Sequence, residues 1–350
     1  MMSIKGRSLY LCVSGFLLLF LVASSFAVQA ASEDKDDLFQ AFIVSDAHFG
    51  WRHPMQPDNN RISHAMGDIL TRFPNLDVFL DTGDIHHGKS YDVGRQEWTG
   101  ILQSGIGLLP FYVAAGNHEI VSYGRVRACP DIEQRVCSMI SASCRPYFSF
   151  DMEGIHVVCL PELITANLVT EESLAWLALD LDLNRDKTTI TATHNSIEGT
   201  TLSHDSKVYR RVANSERMLE FLSDYPNVVA WMHGHNHTWE LVKKGDRFYV
   251  SNGRIGGFSP PYDGNFGKGH LGGIYLEVGP DHFTVRGYSA TEHCFLDEIE
   301  GYEHMSQTMK LDTSFDPSAE PAHSYGYGGA RDGMRIPVYQ HHLLGEEGQG

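Results

Sequence analysis

The sequence predicts an α/β fold with parallel strands at its centre, and three observations point there. Short apolar runs of strand length at residues 39–44, 76–80 and 111–115 alternate with stretches of helical periodicity. Each run ends in polar residues: Asp46-Ala47-His48, Gly83-Asp84 and Gly116-Asn117-His118-Glu119 follow them in turn. Two later runs behave the same way, delivering Thr193-His194-Asn195 and Gly234-His235-Asn236-His237. Parallel strands joined by crossover helices end along one sheet edge, so the five clusters are expected to meet there.

Composition sets the outer bounds. With 350 residues, 42% hydrophobic and 20% charged, the chain suffices for one large domain with a substantial core. Lys+Arg 27 against Asp+Glu 44 give a net charge of -17, which repels polyanions and argues against nucleic acid as a partner. Lys5 and Arg7 precede an apolar run at residues 9–26, and Ala27-Val28-Gln29-Ala30-Ala31 follows it. That is the pattern of a secretory signal peptide over residues 1–30. The run is nearly long enough to span a bilayer. Ser14, Gly15, Ser24 and Ser25 dilute it, and the small residues around Ala30 favour cleavage. The expected location is secreted or periplasmic, with no stable membrane insertion after cleavage.

Each element has its own warrant. The run at 39–44 is the first strand, and a Pro- and Asn-rich loop follows at 53–60. Ile62, Ala65, Met66, Ile69, Leu70 and Phe73 then recur at helical spacing up to the stop at Pro74. A second strand spans 76–80, a helix spans roughly 93–102, and the third strand leads to Gly116. Residues 120–146 read as an insertion carrying Cys129, Cys137 and Cys144. In an oxidising compartment a disulfide within this cluster is expected, and no CxxC spacing supports zinc instead. Cys12 belongs to the signal, while Cys159 and Cys294 stand apart.

Tyr147 to Phe150 and Ile155 to Leu160 form a hairpin around Glu153-Gly154. Thr170-Glu171-Glu172 caps a helix carrying Leu174, Trp176, Leu177 and Leu181. The run at 188–193 delivers His194, a helix covers about 208–222, and the run at 228–232 delivers Gly234. Antiparallel strands are expected at 239–242, 248–250, 274–278 and 283–288. The Gly-rich loop at 253–273 contains Gly267-Lys268-Gly269, but it lacks the GK[ST] ending and following helix of a phosphate loop. Residues 318–350, rich in Gly, Pro and polar side chains, read as a tail.

Together the five strand ends supply carboxylates, imidazoles and one amide, with no thiol. Two hard-to-borderline divalent ions want such a mixed set, and Mn, Fe or Zn suit it better than Cu. Asp84 stands alone after its strand, with Gly83 allowing close approach, and is the natural carboxylate to bridge both ions.

In chain order the clusters read DxH, GD, GNHE, a lone His and GHxH. This series resembles the calcineurin-like metallophosphoesterase family over residues 39 to about 288. The resemblance implies an αββα sandwich, two mixed sheets back to back with helices outside and a dimetal site at one sheet edge. It would occupy a domain at 38–290, between the signal and a partly ordered C-terminal extension at 291–350. It further implies that Asp46, His48 and His237 hold one metal, Asn117, His194 and His235 the other, and Asp84 bridges. His118 would face the phosphate, with Glu119 supporting from behind. The implied activity is hydrolysis of a small phosphate monoester or diester by a metal-bound hydroxide.

Departures from the family pattern narrow this. His87-Gly88-Lys89 stands where protein phosphatases carry Asp then Arg-Gly, and where purple acid phosphatases carry an iron-binding Tyr. Neither branch is therefore expected, and the residue that would orient His118 is missing. His86, His87, Arg254, Tyr262 and His270 are candidate substrate contacts, and His233 reads as a hydrogen-bonded strand-end residue. A protein phosphatase outside the classical pattern stays one competing reading, and a non-catalytic metal-binding or adhesion protein on the same scaffold is the other. The complete ligand set with His118 argues against it.

Overall fold

A computed structural model describes residues 38–49, 59–87, 100, 109–120, 147–160, 169, 171–202, 211–257 and 269–312. The signal at 1–30, the helix at 93–102 apart from residue 100, and the insertion with its three cysteines from residue 121 lie outside these. So do Thr170, Tyr262 and the tail from 313.

Strand β1 (Phe39–Val44) leads through helix α1 (Asn59–Arg72) to β2 (Val78–Asp81). Next come β3 (Phe111–Val113) and a single helical turn, α2 (Asn117–Ile120). The hairpin β4 (Phe148–Met152) and β5 (Ile155–Leu160) precedes α3 (Glu171–Leu183), β6 (Thr189–Thr193), α4 (Ser215–Ser223) and β7 (Val228–His233). Strands β8 (Trp239–Lys244), β9 (Arg247–Asn252), β10 (Gly272–Val278) and β11 (His282–Ser289) follow; β8 is antiparallel to β9 and β10 to β11, while β9 also lies parallel to β7. Two short strands, β12 (Cys294–Phe295) and β13 (Ser306–Lys310), end the described chain.

Two mixed sheets result. The first runs β12-β11-β10-β1-β2-β3, with β13 also on β11; the second runs β4-β5-β6-β7-β9-β8. In the first, β1, β2 and β3 are parallel while β10 is antiparallel to β1; in the second, β5, β6, β7 and β9 are parallel. This is the expected α/β sandwich of two mixed sheets with helices. Strand alternation builds it: Val157, Ile190, Ala230 and Val250 join the core shared with the first sheet. Their neighbours Val158, Trp231 and Tyr249 pack with Leu174, Leu177, Phe221 and Leu222 from α3 and α4 instead. Helix α1 buries Ile62, Ala65, Met66 and Ile69, the stripe its sequence spacing marks.

Two boundaries differ from expectation. The helix expected from 208 starts at Ser215, because Arg211 bridges Ser196 and the Val212 N–H donates to the Ser196 carbonyl at 2.8 Å. Asn214 meanwhile ties its side chain to the backbone of Val169. The folded body also runs past the expected boundary at 290. Strand β13 pairs five residues with β11, and Leu296, Met305 and Met309 are buried.

Candidate metal centre

The parallel register of β1 and β2 continues beyond both strands. Asp46 N–H donates to the Gly83 carbonyl at 2.9 Å, His48 N–H to Asp84 at 2.9 Å and Phe49 N–H to Ile85 at 2.8 Å. Along this seam the backbone departs from ordinary geometry. Asp46, His48, Asp84, His235 and His237 have φ of 56°, 50°, 59°, 67° and 56°. Left-handed backbone is disfavoured for side chains of this kind by about 1–2 kcal/mol each, and such residues cluster where function holds them. The turns after β2 and β3 close against each other, glycine to glycine. Gly83 has φ 101°, and a Cβ there would strike the Gly116 backbone. A Cβ on Gly116 would lie 2.5 Å from Asp84 Oδ1. Both positions need the missing side chain.

Seven side chains converge at this edge in two groups. In the first, His237 Nε2 lies 3.1 Å from Asp46 Oδ1 and 3.1 Å from His48 Nε2. In the second, His194 Nε2 lies 3.0 Å from His235 Nδ1 and 3.2 Å from Asn117 Oδ1. Asp84 faces both: its Oδ2 is 3.6 Å from His48 Nε2 and 3.3 Å from His194 Nε2.

The chemistry of the second group suits a cation. His194 Nδ1 donates to the Thr82 carbonyl at 2.7 Å, so in the neutral ring Nε2 presents a lone pair. That lone pair meets a carboxylate oxygen, an amide oxygen and another imidazole. Electron-rich atoms packed this closely repel unless a positive charge sits among them. The first group is similar: Asp46 commits Oδ2 to the Ser45 hydroxyl at 2.6 Å and the His235 N–H at 2.9 Å, turning Oδ1 toward the imidazoles. Burial opposes the charge on Asp46 and Asp84, but positive charge on the facing imidazoles, His237 first at Asp46 and His194 first at Asp84, holds each carboxyl well below its usual range; with neutral rings a bound cation would supply that charge.

A family model described as calcineurin-like phosphoesterase matches residues 40–239, a span that encloses every residue from Asp46 to His237. The chain belongs to this family. No curated protein sequence matches it. Among solved structures, a dimetal phosphatase from Danio rerio is 12% identical with TM-score 0.55, covering 78% of this chain and 98% of that one. A purple acid phosphatase from yellow lupin is 13% identical with TM-score 0.53, covering 79% of this chain and 54% of that one. GAP50, the anchor in the inner membrane complex of Plasmodium, is 10% identical with TM-score 0.52, covering 79% and 90%. At these identities the likeness speaks to fold.

In this calcineurin-like phosphoesterase, the other expected residues sort into separate places. His118 stands at the rim with its Nε2 3.7 Å from Asp84 Oδ2 and its side chain 11% exposed. Its N–H donates to Asp84 Oδ1 at 2.8 Å. Burial is the largest influence on the His118 ring, lowering its pKa to about 4 despite Asp84. The His87 ring lies beside it, centroids 4.5 Å apart, and is likewise lowered by burial to about 3.

Glu119 is buried behind the centre. Its carboxylate accepts N–H donors from Asp84 at 2.8 Å, Ile85 at 2.9 Å and Gly116 at 2.8 Å, with His86 Nδ1 at 3.0 Å. It therefore pins the Asp84 turn, and the buried His86 ring is engaged with it. Arg254, another candidate contact, turns back onto its own loop. It is buried, donates to the carbonyls of Gly256 and Gly257, and is lowered to about 10, first by burial and then by Arg61. His233 holds the Gly234 carbonyl at 3.1 Å, as a strand-end residue should. His270 meets the Ser289 hydroxyl at 3.1 Å.

Ser45, Thr82 and Asp81 were not singled out by sequence. Asp81 accepts the Gly83 N–H at 2.8 Å, and burial raises its carboxyl well above the usual range. The available signal was position alone: each stands next to, or one residue from, a ligand-bearing turn.

Proposed function

We propose that this chain is an exported phosphoesterase using two divalent ions, with a small phosphate monoester or diester as substrate. The observation that carries the reading is Asp84 Oδ2, placed between two separate groups of nitrogen and oxygen donors. Asp46, His48 and His237 would hold one ion, and Asn117, His194 and His235 the other. Two such ions supply charge neutralisation for phosphate oxygens and make water acidic near neutral pH. His118 stands above Asp84 on an anchored backbone, and its partly exposed ring is positioned to assist at the phosphate by hydrogen bonding or proton donation. Thr82, Ser45 and Glu119 orient the ligands from behind. Export rests on Lys5, Arg7 and the apolar run that follows.

The test is turnover of an aryl phosphate before and after chelation, with Mn²⁺ added back. Activity should vanish with the metal and return with it, and elemental analysis should find close to two equivalents. Full activity in metal-free protein would sink the reading. Two bound ions without turnover of any mono- or diester would favour a non-catalytic metal protein. With His87 at the tyrosine position, no purple absorption band is expected.

A further inference from the structure

His87 and His118 stand side by side next to the centre, outside the seven-residue set. Their ring centroids are 4.5 Å apart, and His48 lies beside both, at 5.6 Å and 4.8 Å. One ligand nitrogen from each of these three rings lies within 4.8 Å of the others. Neither ring hangs from a slack backbone. The His87 N–H donates to the Phe49 carbonyl at 3.1 Å, and the His118 N–H to Asp84 Oδ1 at 2.8 Å. Both imidazoles are thus anchored to the same strand ends that carry the centre.

Paired imidazoles suit Zn²⁺ and are poor ligands for harder ions such as Mg²⁺ and Mn²⁺. Zn–N bonds of about 2.0–2.1 Å bring two nitrogens on a tetrahedral ion to about 3.3 Å. The His87 and His118 nitrogens lie within 4.8 Å of each other, so they need approach by no more than about 1.5 Å to share one ion, a shift that small turns within their rotamer wells supply.

We propose that His87 and His118 form a third, weaker zinc site whose filling shuts the centre down. The inference rests on the two-metal reading above. An ion at this position ties up His118 and stands over the approach to Asp84. It fills last, for two reasons. It gains two imidazoles and water or phosphate, whereas the resident positions each include a carboxylate. It is also repelled by the two ions already present. Excess Zn²⁺ therefore inhibits, and excess Mn²⁺ does not.

The experiment starts from the full chain loaded with two zinc equivalents and adds Zn²⁺, counting bound metal at equilibrium while following aryl phosphate turnover. Wild type should take up a third equivalent as its rate falls. His87→Ala and His87→Gln should stop at two equivalents. Their inhibitory zinc concentration should rise at least roughly 10–100-fold, since losing one of two imidazole ligands costs no less than losing a group that merely supports a ligand. Each variant is compared with its own rate at two equivalents, and circular dichroism checks its fold, so either variant can carry the result. A wild-type plateau at two equivalents, or a third equivalent retained by a folded His87 variant, overturns the third site. A wild-type protein that holds fewer than two equivalents at saturation overturns the two-metal reading instead.

Discussion

Asp84 and His118 approach within 3.7 Å of each other yet are expected to fail in different ways. Asp84→Ala removes the one oxygen facing both donor groups, so metal content and turnover should fall together. His118→Ala leaves both groups intact; it should keep two metal equivalents and lose about 10²–10⁴-fold in turnover. Equal metal loss in both variants would show that His118 is a ligand. Glu119 offers a finer test, because its carboxylate accepts from three backbone donors at 2.9 Å or less. Glu119→Gln turns an NH₂ group toward N–H donors, and should weaken metal binding by roughly 10–100-fold without touching a ligand. Unchanged metal affinity would mean that the turn holds itself. The seven candidate ligands were legible because each stands within a few residues of the end of an apolar run. The family resemblance implied a supporting place for Glu119, but not its backbone partners, since they depend on which N–H groups lack a strand partner beyond the ends of β2 and β3.

At the scale of elements, the hairpin β4–β5 is tied to α3 by a polar chain that is buried at His156 and Asp180 and exposed at Asp151. His156 meets Asp151 Oδ1 through Nδ1 at 2.8 Å and Asp180 Oδ2 through Nε2 at 2.8 Å. The Ser149 hydroxyl donates to Asp180 at 2.7 Å, and Lys187 reaches Asp151. Burial opposes the charged imidazole, but the carboxylates on both sides outweigh it and raise its pKa. A raised folded-state value sets the sign. The stabilising contribution is complete below the ordinary histidine value of about 6.5, and is lost as pH rises through the raised one. His156→Gln should therefore cost more stability at pH 6 than at pH 9, read from thermal midpoints of the two proteins. A difference independent of pH would mean that the imidazole acts as a neutral hydrogen-bonding wedge. Sequence marked the hairpin through Glu153-Gly154, whose φ values of 48° and 79° make the turn. It could not mark this link, because Asp180 lies 24 positions from His156 and meets it through packing.

For the molecule as a whole, the sandwich was readable wherever a strand is buried on both faces, because β1, β5 and β7 are then nearly continuous apolar runs. Legibility failed where a strand is short, polar and at the periphery. Strand β13 reads Ser-Gln-Thr-Met-Lys, with Met309 its one buried residue, and β12 is two residues long. Neither carries a period that sequence could register. Yet this region closes the first sheet. Leu296, Tyr302, Met305 and Met309 are buried, and all four belong to the core shared by the two sheets. Burial of large apolar side chains contributes about 1.5–3 kcal/mol each, so four of them approach the roughly 5–15 kcal/mol that keeps a domain folded. A chain ending at residue 290 also leaves the β11 ladder from His282 to Arg286 unpaired on that side. Such a chain should melt more than about 10 °C below the full-length protein, or lose its cooperative transition. Metal binding should suffer as well, since β11 supports β10, which pairs with the ligand-bearing β1. A truncated chain melting within about 2 °C of the parent would show that the sandwich is complete at 290, and that β12 and β13 merely lie on it.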